Sequence, residues 1–343
     1  MVLFWASLAI FFVMVPVVTL YALGYRLDDS WNLKKTGGIY VSSDISGSEI
    51  FFEGNFEDRT NLLQSGAFID NLSPGTYQVQ VLNEGYQPWK KNLEVNSQLV
   101  TEARAILIPE KTNSDILLRG TFSGMYASQN NPIIILSETR QISTGIEKIV
   151  RWYIPEDQAF LTDTAALLKY NSSFEIVRWL PNGVILNLDN KRFRVSFNLG
   201  RGTASIVPMG NESPNKTDEE ILETLRRVDD RESIEITYLP VDGSLTAAWI
   251  DEGIILPYYF QNEKVTIVQG EKIGNFELLP GRRDIVLASF DNAVWAIEID
   301  ARNPRATLPV YKGNEPEFAI LPNNGQIYIL DDGILMSVNL RTQ

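Results

Sequence analysis

The sequence predicts a mainly β protein behind an N-terminal transmembrane helix, and three observations predict it. Nothing from Val2 to Tyr25 is charged. Beyond that run, apolar residues recur on a two-residue beat, in short stretches cut by Gly, Pro and Asn; this is the pattern of half-buried strands. Past residue 110, a Leu-Pro pair, a Gly and an Asp recur in that order.

Bulk composition narrows the function classes. A chain of 343 residues has room for two or three domains with ample core. Its net charge is −13, and Lys34-Lys35, Lys90-Lys91 and Arg226-Arg227 are isolated basic pairs. No nucleic-acid partner is expected, because phosphate binding needs a basic face. There is no Cys and no His, which excludes disulfides, thiolate zinc sites and imidazole-based triads. No Gly-rich loop has phosphate-binding spacing, and neither Asp28-Asp29 nor Asp229-Asp230 has the alternating ligands of a calcium loop. No cofactor and no metal is expected.

The first element is the anchor, residues 1–25. The uncharged run is long enough to cross ~30 Å of hydrocarbon. Trp5 stands near one end and Tyr21 and Tyr25 near the other, where aromatic belts lie. A cleaved signal peptide is the competing reading, with Ala22-Leu23-Gly24 as the cleavage site. The apolar stretch exceeds the ~7–15 residues of a signal core, and no basic residue precedes it. Residues 26–35 read as a linker. Its Arg26, Lys34 and Lys35 would, by the positive-inside rule, place the remainder in the cytoplasm.

Next, residues 36–109 read as a small β-sandwich with strands in GGIYVSS, EIFFEG, FIDNL, TYQVQVL, KNLEV and ARAILIP. Tyr77, Val79 and Val81 alternate with Gln78 and Gln80, so one face is apolar and the other wet. Pro74-Gly75 fits the centre of a type II turn, with Gly accepting φ > 0. Gly85 ends the strand, and Trp89 closes one end of the core. Packing is the main role expected of Tyr77, Tyr86 and Trp89, since a module this small needs its aromatics inside.

These residues carry a resemblance. Leu72-Ser73-Pro74-Gly75-Thr76-Tyr77, followed by Glu84-Gly85-Tyr86 and Trp89, resembles the second half of the PEGA domain, a β-sandwich of envelope proteins. The first half departs from the family: Ser43-Asp44-Ile45-Ser46-Gly47-Ser48 lacks the usual Pro, and Gln64-Ser65-Gly66 stands where Thr-Pro is usual. The resemblance implies an adhesive or scaffolding module outside the cytoplasmic membrane, with no catalytic residues. It favours extracytoplasmic placement over the weak basic signal of the linker.

The last region, 110–343, carries the repeat. Leu180-Pro181, Leu239-Pro240, Leu279-Pro280 and Leu321-Pro322 each follow an apolar strand, and the pairs are spaced by 59, 40 and 42 residues. Gly183, Gly243, Gly281 and Gly325 follow, then strands ending at Asp189, Asp251, Asp291 and Asp331. Each Asp opens a turn into a third strand: FRVSFNL, IILPYYF, VWAIEI or ILMSVNL. A period near 40 built of short strands is that of a β-propeller blade. The wide spacing is explained by an acidic helical insertion, 213–232, with Thr217 and Glu220 as a capping box. IVRWYIP at 149–155 and NNPIIILSE at 130–138 read as eroded copies, so the expectation is a degenerate propeller of five or six blades. The final unit has three strands, and DILLRGTFSG at 115–124 is free to supply the fourth. In style the region resembles Tol-type and WD-repeat propellers.

The expected function is a non-enzymatic, membrane-anchored envelope scaffold that binds an envelope protein or cell-wall glycan. An extracytoplasmic glycan hydrolase on a propeller scaffold is the alternative, because paired carboxylates can converge in space without any local motif. A sensor signalling through the anchor is a third reading. The recurring Asp residues are read as turn-formers, because each sits in the same turn of its unit. The expected localisation is the cytoplasmic membrane, single-pass, with the C-terminal domains outside.

Overall fold

The computed structural model describes residues 2–27, 31, 33–128, 131–162, 168–209, 234–250, 256–321 and 325–340. The insertion 213–232 and Asp251 lie outside the described residues. The chain divides into two compact units. Unit 1 comprises Met1–Lys111, Ile255–Val265 and Glu298–Ala306; unit 2 comprises Thr112–Ile254, Thr266–Ile297 and Thr307–Gln343.

Unit 1 opens with α1 (Val2–Ala22), which holds no charged residue and has Pro16 inside it. Among the described residues, no helix is long and apolar enough to cross a membrane. The expected anchor, 1–25, is thus represented by a helix that stops at Ala22. The cause of the early stop is local. Gly24 takes φ 78°, and Arg26 donates to the carbonyls of Tyr21 at 2.7 Å and Tyr25 at 3.0 Å, satisfying backbone acceptors that a helix end leaves bare. The expected linker is instead a hairpin, β1 (Tyr25–Leu27) paired with β2 (Leu33–Lys35).

A two-layer sandwich follows. One layer holds β3 (Gly37–Ser43), β6 (Gly66–Leu72) and β9 (Val100–Ala105), in the order β6-β3-β9. The other holds β4 (Glu49–Phe52), β5 (Asn55–Arg59), β7 (Gly75–Leu82) and β8 (Trp89–Val95), in the order β5-β4-β7-β8. Ile39 and Val41 of the first layer and Ile50, Val79, Val81, Trp89 and Leu93 of the second are all fully buried, each worth ~1.5–3 kcal/mol of transfer free energy. β5 has no counterpart among the strands read from the sequence, because NFEDR has no buried beat. The Pro74-Gly75 turn also differs from expectation. Gly75 is already in β7, opposite Val95, and the left-handed residue is Asn71, φ 59°.

Unit 2 contains five antiparallel sheets among its described residues. The chain supplies β10 (Asn113–Arg119) first. The next sheet is β11 (Phe122–Ala127), β12 (Ile134–Ile142) and β13 (Gly145–Ile154), with β14 (Ala159–Phe160) and β15 (Leu168–Tyr170) both paired to β13. Then come β16 (Phe174–Leu180), β17 (Gly183–Leu188), β18 (Lys191–Asn198) and β19 (Thr203–Met209). The third is β20 (Ile234–Leu239), β21 (Ser244–Trp249) and β22 (Lys264–Val268), and the fourth is β23 (Phe276–Leu278), β24 (Ile285–Phe290), β25 (Ala293–Glu298) and β26 (Thr307–Lys312). The fifth is β27 (Glu317–Ile320), β28 (Ile327–Asp331) and β29 (Ile334–Asn339), completed by β10 in the order β10-β29-β28-β27. Asp115 pairs with Ser337 and Arg119 with Ile334, so the first strand of the unit closes the last sheet.

Two expectations change. The copies at 130–138 and 149–155 are not separate units, since they fall in β12 and β13 of one sheet. The described part of IILPYYF, 256–260, is not a strand, and β22 takes its place. Three pairs of sheets are tied together. Ile133, Trp152 and Leu161 share a core with Val184, Leu186 and Val195. Asn275 donates to the carbonyl of Phe318 at 2.5 Å, tying the fourth sheet to the fifth. Tyr153, Ile134 and Met125 of the first sheet share a core with Tyr328, Leu330 and Leu335 of the fifth.

Candidate functional site

Two polar assemblies stand out, one in each unit. In unit 2, a cleft of about 370 Å³ is lined by residues that include Phe122, Lys272, Asp291, Glu315, Glu317 and Asp332. These come from the entries to β11, β23 and β27 and from the turns after β24 and β28. One edge of three sheets therefore builds the cleft. Its lining carries four acids, Asp291, Glu315, Glu317 and Asp332, against the single base Lys272, so it suits a cationic or neutral polar ligand. Lys272 lies 3.5 Å from Asp291, both widely exposed, an ion pair that solvent weakens to ~0–1 kcal/mol. Burial pushes the Glu317 carboxyl up, while the amide of Met125 donates to it at 2.8 Å.

The turn acids shape loops next to their own turns. Asp189, in a two-residue turn with Asn190 at φ 50° and 65°, accepts the backbone N–H groups of Asn171 and Ser172 at 2.8 Å and Ser173 at 3.1 Å. Those bonds, that from Ser172 foremost, hold its carboxyl well below the usual range. Asp331 accepts the Tyr311 hydroxyl at 2.8 Å and the Asn314 amide at 3.0 Å. A Cβ at Gly313 would lie 2.1 Å from Asp331 Oδ2, so a side chain there would displace this carboxylate. Burial first, then the Asp331 carboxylate, pushes the Tyr311 phenol up. Asp291 lines the cleft itself, and its carbonyl accepts the Glu315 amide at 2.7 Å. Asp251 lies outside the described residues.

In unit 1, the residues singled out from the sequence divide. Trp89 and Tyr86 are buried, at 1% and 6% exposure. Tyr77 is half-buried: its ring lies 5.2 Å from Phe52 and its hydroxyl donates to the carbonyl of Ser73 at 2.9 Å. Gly85 takes φ 79° at the turn after β7, and Pro74 is exposed.

Sequence reasoning missed the most polar feature of this core. Lys91 is fully buried on β8, on the same face as Trp89 and Leu93 and opposite Val79. The signal was present, since Lys91 falls on the apolar beat of Trp89, Leu93 and Val95. Its partners come from the 298–306 segment. Lys91 Nζ donates to Glu298 Oε2 and lies 3.2 Å from Asp300 Oδ2, and the two carboxylate side chains are 3% and 7% exposed. Trp89 Nε1 donates to Glu298 Oε1 at 2.6 Å, and the Ala306 amide to Oε2 at 3.2 Å. Arg302 clamps Asp300 at 2.7 Å and donates to the Glu102 carbonyl at 2.9 Å. Burial pushes the Glu298 carboxyl up, against the opposing pull of Lys91. Burial also acts on Asp300, but Arg302 and Lys91 outweigh it and leave that carboxyl low.

Among solved structures, the chain is similar to Kluyveromyces lactis Hsv2 at 6% identity, covering 74% of this chain and 67% of that one, with a TM-score of 0.21. A K. lactis Hsv2 with loop 6CD replaced by a Gly-Ser linker matches at 8% identity, with 78% and 95% covered and a TM-score of 0.28. Kluyveromyces marxianus Hsv2 matches at 7% identity, with 78% and 70% covered and a TM-score of 0.22. Superpositions this loose support no inference about fold or function. No curated protein matches the chain. Residues 36–110, the sandwich that buries Trp89 and Lys91, match the family model of the PEGA domain.

Proposed function

We propose that the protein is a non-enzymatic scaffold of the cell envelope, held at the cytoplasmic membrane by its N-terminal apolar segment, with the sandwich and unit 2 outside. The PEGA-domain sandwich serves as the stalk or wall contact. The five sheets of unit 2 form a propeller that presents the acidic cleft to an envelope protein or cell-wall glycan. The observation that carries this reading is the pairing of β10 with β29 beside a core shared by the first and fifth sheets. On this reading they close the row of meander sheets into a wheel, an architecture that leaves only short, protected strand edges.

The turn acids support a binding role over catalysis. Asp189 spends its oxygens on backbone amides, and Asp331 on one backbone amide and the Tyr311 hydroxyl, as turn-formers do. A glycan hydrolase is the competing reading, favoured by one observation: Glu317 lines the cleft with its carboxyl pushed up by burial.

The test is binding of the full chain, purified in detergent, to isolated cell-wall glycan and to solubilised envelope proteins. Wild type and an Asp291→Lys, Asp332→Lys double variant are compared. The expected result is specific retention of one of these partners by wild type, lost in the double variant, with no product formed from glycan. Retention unaffected by the charge reversal contradicts the cleft as the binding face. Glycan cleavage abolished by Glu317→Gln would establish the hydrolase instead.

A further inference from the structure

We propose that Lys91 and Glu298 become joined by an intramolecular amide bond, an isopeptide cross-link inside unit 1. A lysine amine and a carboxyl group in water form an ion pair and stay that way. Here both are out of water, with the Lys91 side chain 0% and the Glu298 side chain 3% exposed, and they are already in hydrogen-bond contact. Holding two reactants in this way is equivalent to an effective concentration of roughly 10⁵–10⁸ M.

The surroundings supply the remaining parts of a condensation. Trp89 Nε1 sits 2.6 Å from Glu298 Oε1, where negative charge develops when the amine adds to Cδ, as an oxyanion donor does. Asp300 Oδ2 lies 3.2 Å from Lys91 Nζ, and Arg302 keeps Asp300 in its ionised form, a base ready for a proton. Glu298 is pushed toward its neutral form by burial, which is the form an amine attacks. The two acids therefore take different roles: Glu298 is the electrophile and Asp300 the proton carrier.

The step balances without an oxidant or a co-reactant. A proton passes from the Lys91 ammonium to the Glu298 carboxylate, giving amine and acid. Nζ adds to Cδ, and Asp300 takes the extra proton from the nitrogen. Asp300 returns that proton to the departing hydroxyl. One N–C bond forms, one C–O bond breaks and one water leaves. The product links β8 to the 298–306 segment in a chain that has no cysteine for a disulfide. Like a disulfide, it would restrict the unfolded chain.

Intact-mass spectrometry of the full chain, purified folded in detergent, tests this. The expected mass is lower than the sequence mass by about 18 Da, the mass of one water, and proteolysis yields a branched peptide joining Lys91 to Glu298. Lys91→Arg keeps a cation facing both acids but cannot form this amide, so it shows full mass. Asp300→Asn slows the loss of water in freshly folded protein. The wild-type measurement stands even if a variant fails to fold. Full mass in wild type, loss of water without the branched peptide, or loss of water persisting in Lys91→Arg would each overturn the proposal.

Discussion

The turn acids Asp189 and Asp331 of unit 2 hold loops near them in the chain; Glu298 of unit 1 holds a lysine some two hundred positions away. Asp189 binds amides 16 to 18 residues before it, and Asp331 binds one 17 residues before it. Each shapes a loop beside its own turn. Glu298 meets Lys91 across 207 residues. The contrast separates two uses of an acid. Asp189, with several backbone donors, is a local device, and its loss is felt by one loop. A buried carboxylate facing a buried lysine is a commitment of the core, because removing one partner strands the other out of water.

That contrast orders the predictions. Lys91→Met leaves Glu298 and Asp300 buried without the side chain that both face. It should cost about 3–5 kcal/mol of unfolding free energy, read by denaturant titration of the full chain. A loss below about 1 kcal/mol would place Lys91 among surface pairs and erase the distinction between the units. Asp331→Ala strands the Tyr311 hydroxyl and the Asn314 amide, and should cost about 1–3 kcal/mol in the same titration.

The contributions of Asp300 and Tyr311 should be lost at opposite ends of the pH scale. The Asp300 carboxyl is lower in the folded state than its ordinary ~3.9, so burial is outweighed there by Arg302 and Lys91. Its stabilisation is present above that ordinary value and is lost as the pH falls through the lower, folded one. Asp300→Asn should therefore flatten the acid limb of a stability–pH curve. The Tyr311 phenol is raised above its ordinary ~10 by burial and by Asp331. Its stabilisation is full below that pH and is lost as the pH rises, so Tyr311→Phe should flatten the alkaline limb. Exchange of the two effects would contradict the assignment. The smallest effect belongs to Asp189→Ala: faster amide exchange at residues 171–173 with an unchanged unfolding midpoint.

What the sequence made legible follows the same division between near and far. The two-residue beat places the sandwich strands because each half-buried strand carries its own signal, as in Val79 and Val81 against Gln78 and Gln80. β5 was invisible because it buries nothing on a beat. The spare strand at 115–124 was legible as a closing strand because the last unit lacks one. The eroded copies merged into one sheet because IVRWYIP, a first strand by analogy with IVRWLP, pairs as the third, β13. Gly75 drew attention as a turn glycine, yet the positive φ falls on Asn71 within β6, a residue that also tolerates it. Lys91 betrays its burial by its place on the beat. Its partners could not be read, since nothing local to Glu298 or Asp300 points to a lysine on β8. The cleft was equally illegible, because its lining gathers turns from separate sheets.

The most direct test of the architecture uses the absence of cysteine in this chain. Asp115 and Ser337 face each other across β10 and β29, within reach of a disulfide if both become Cys. In the double variant Asp115→Cys, Ser337→Cys, mild oxidation of the folded monomer should form one intramolecular disulfide, seen as faster migration on a non-reducing gel that reduction reverses. Free thiols that persist after oxidation, or disulfides formed only between molecules, would show that the first strand of unit 2 does not close its last sheet.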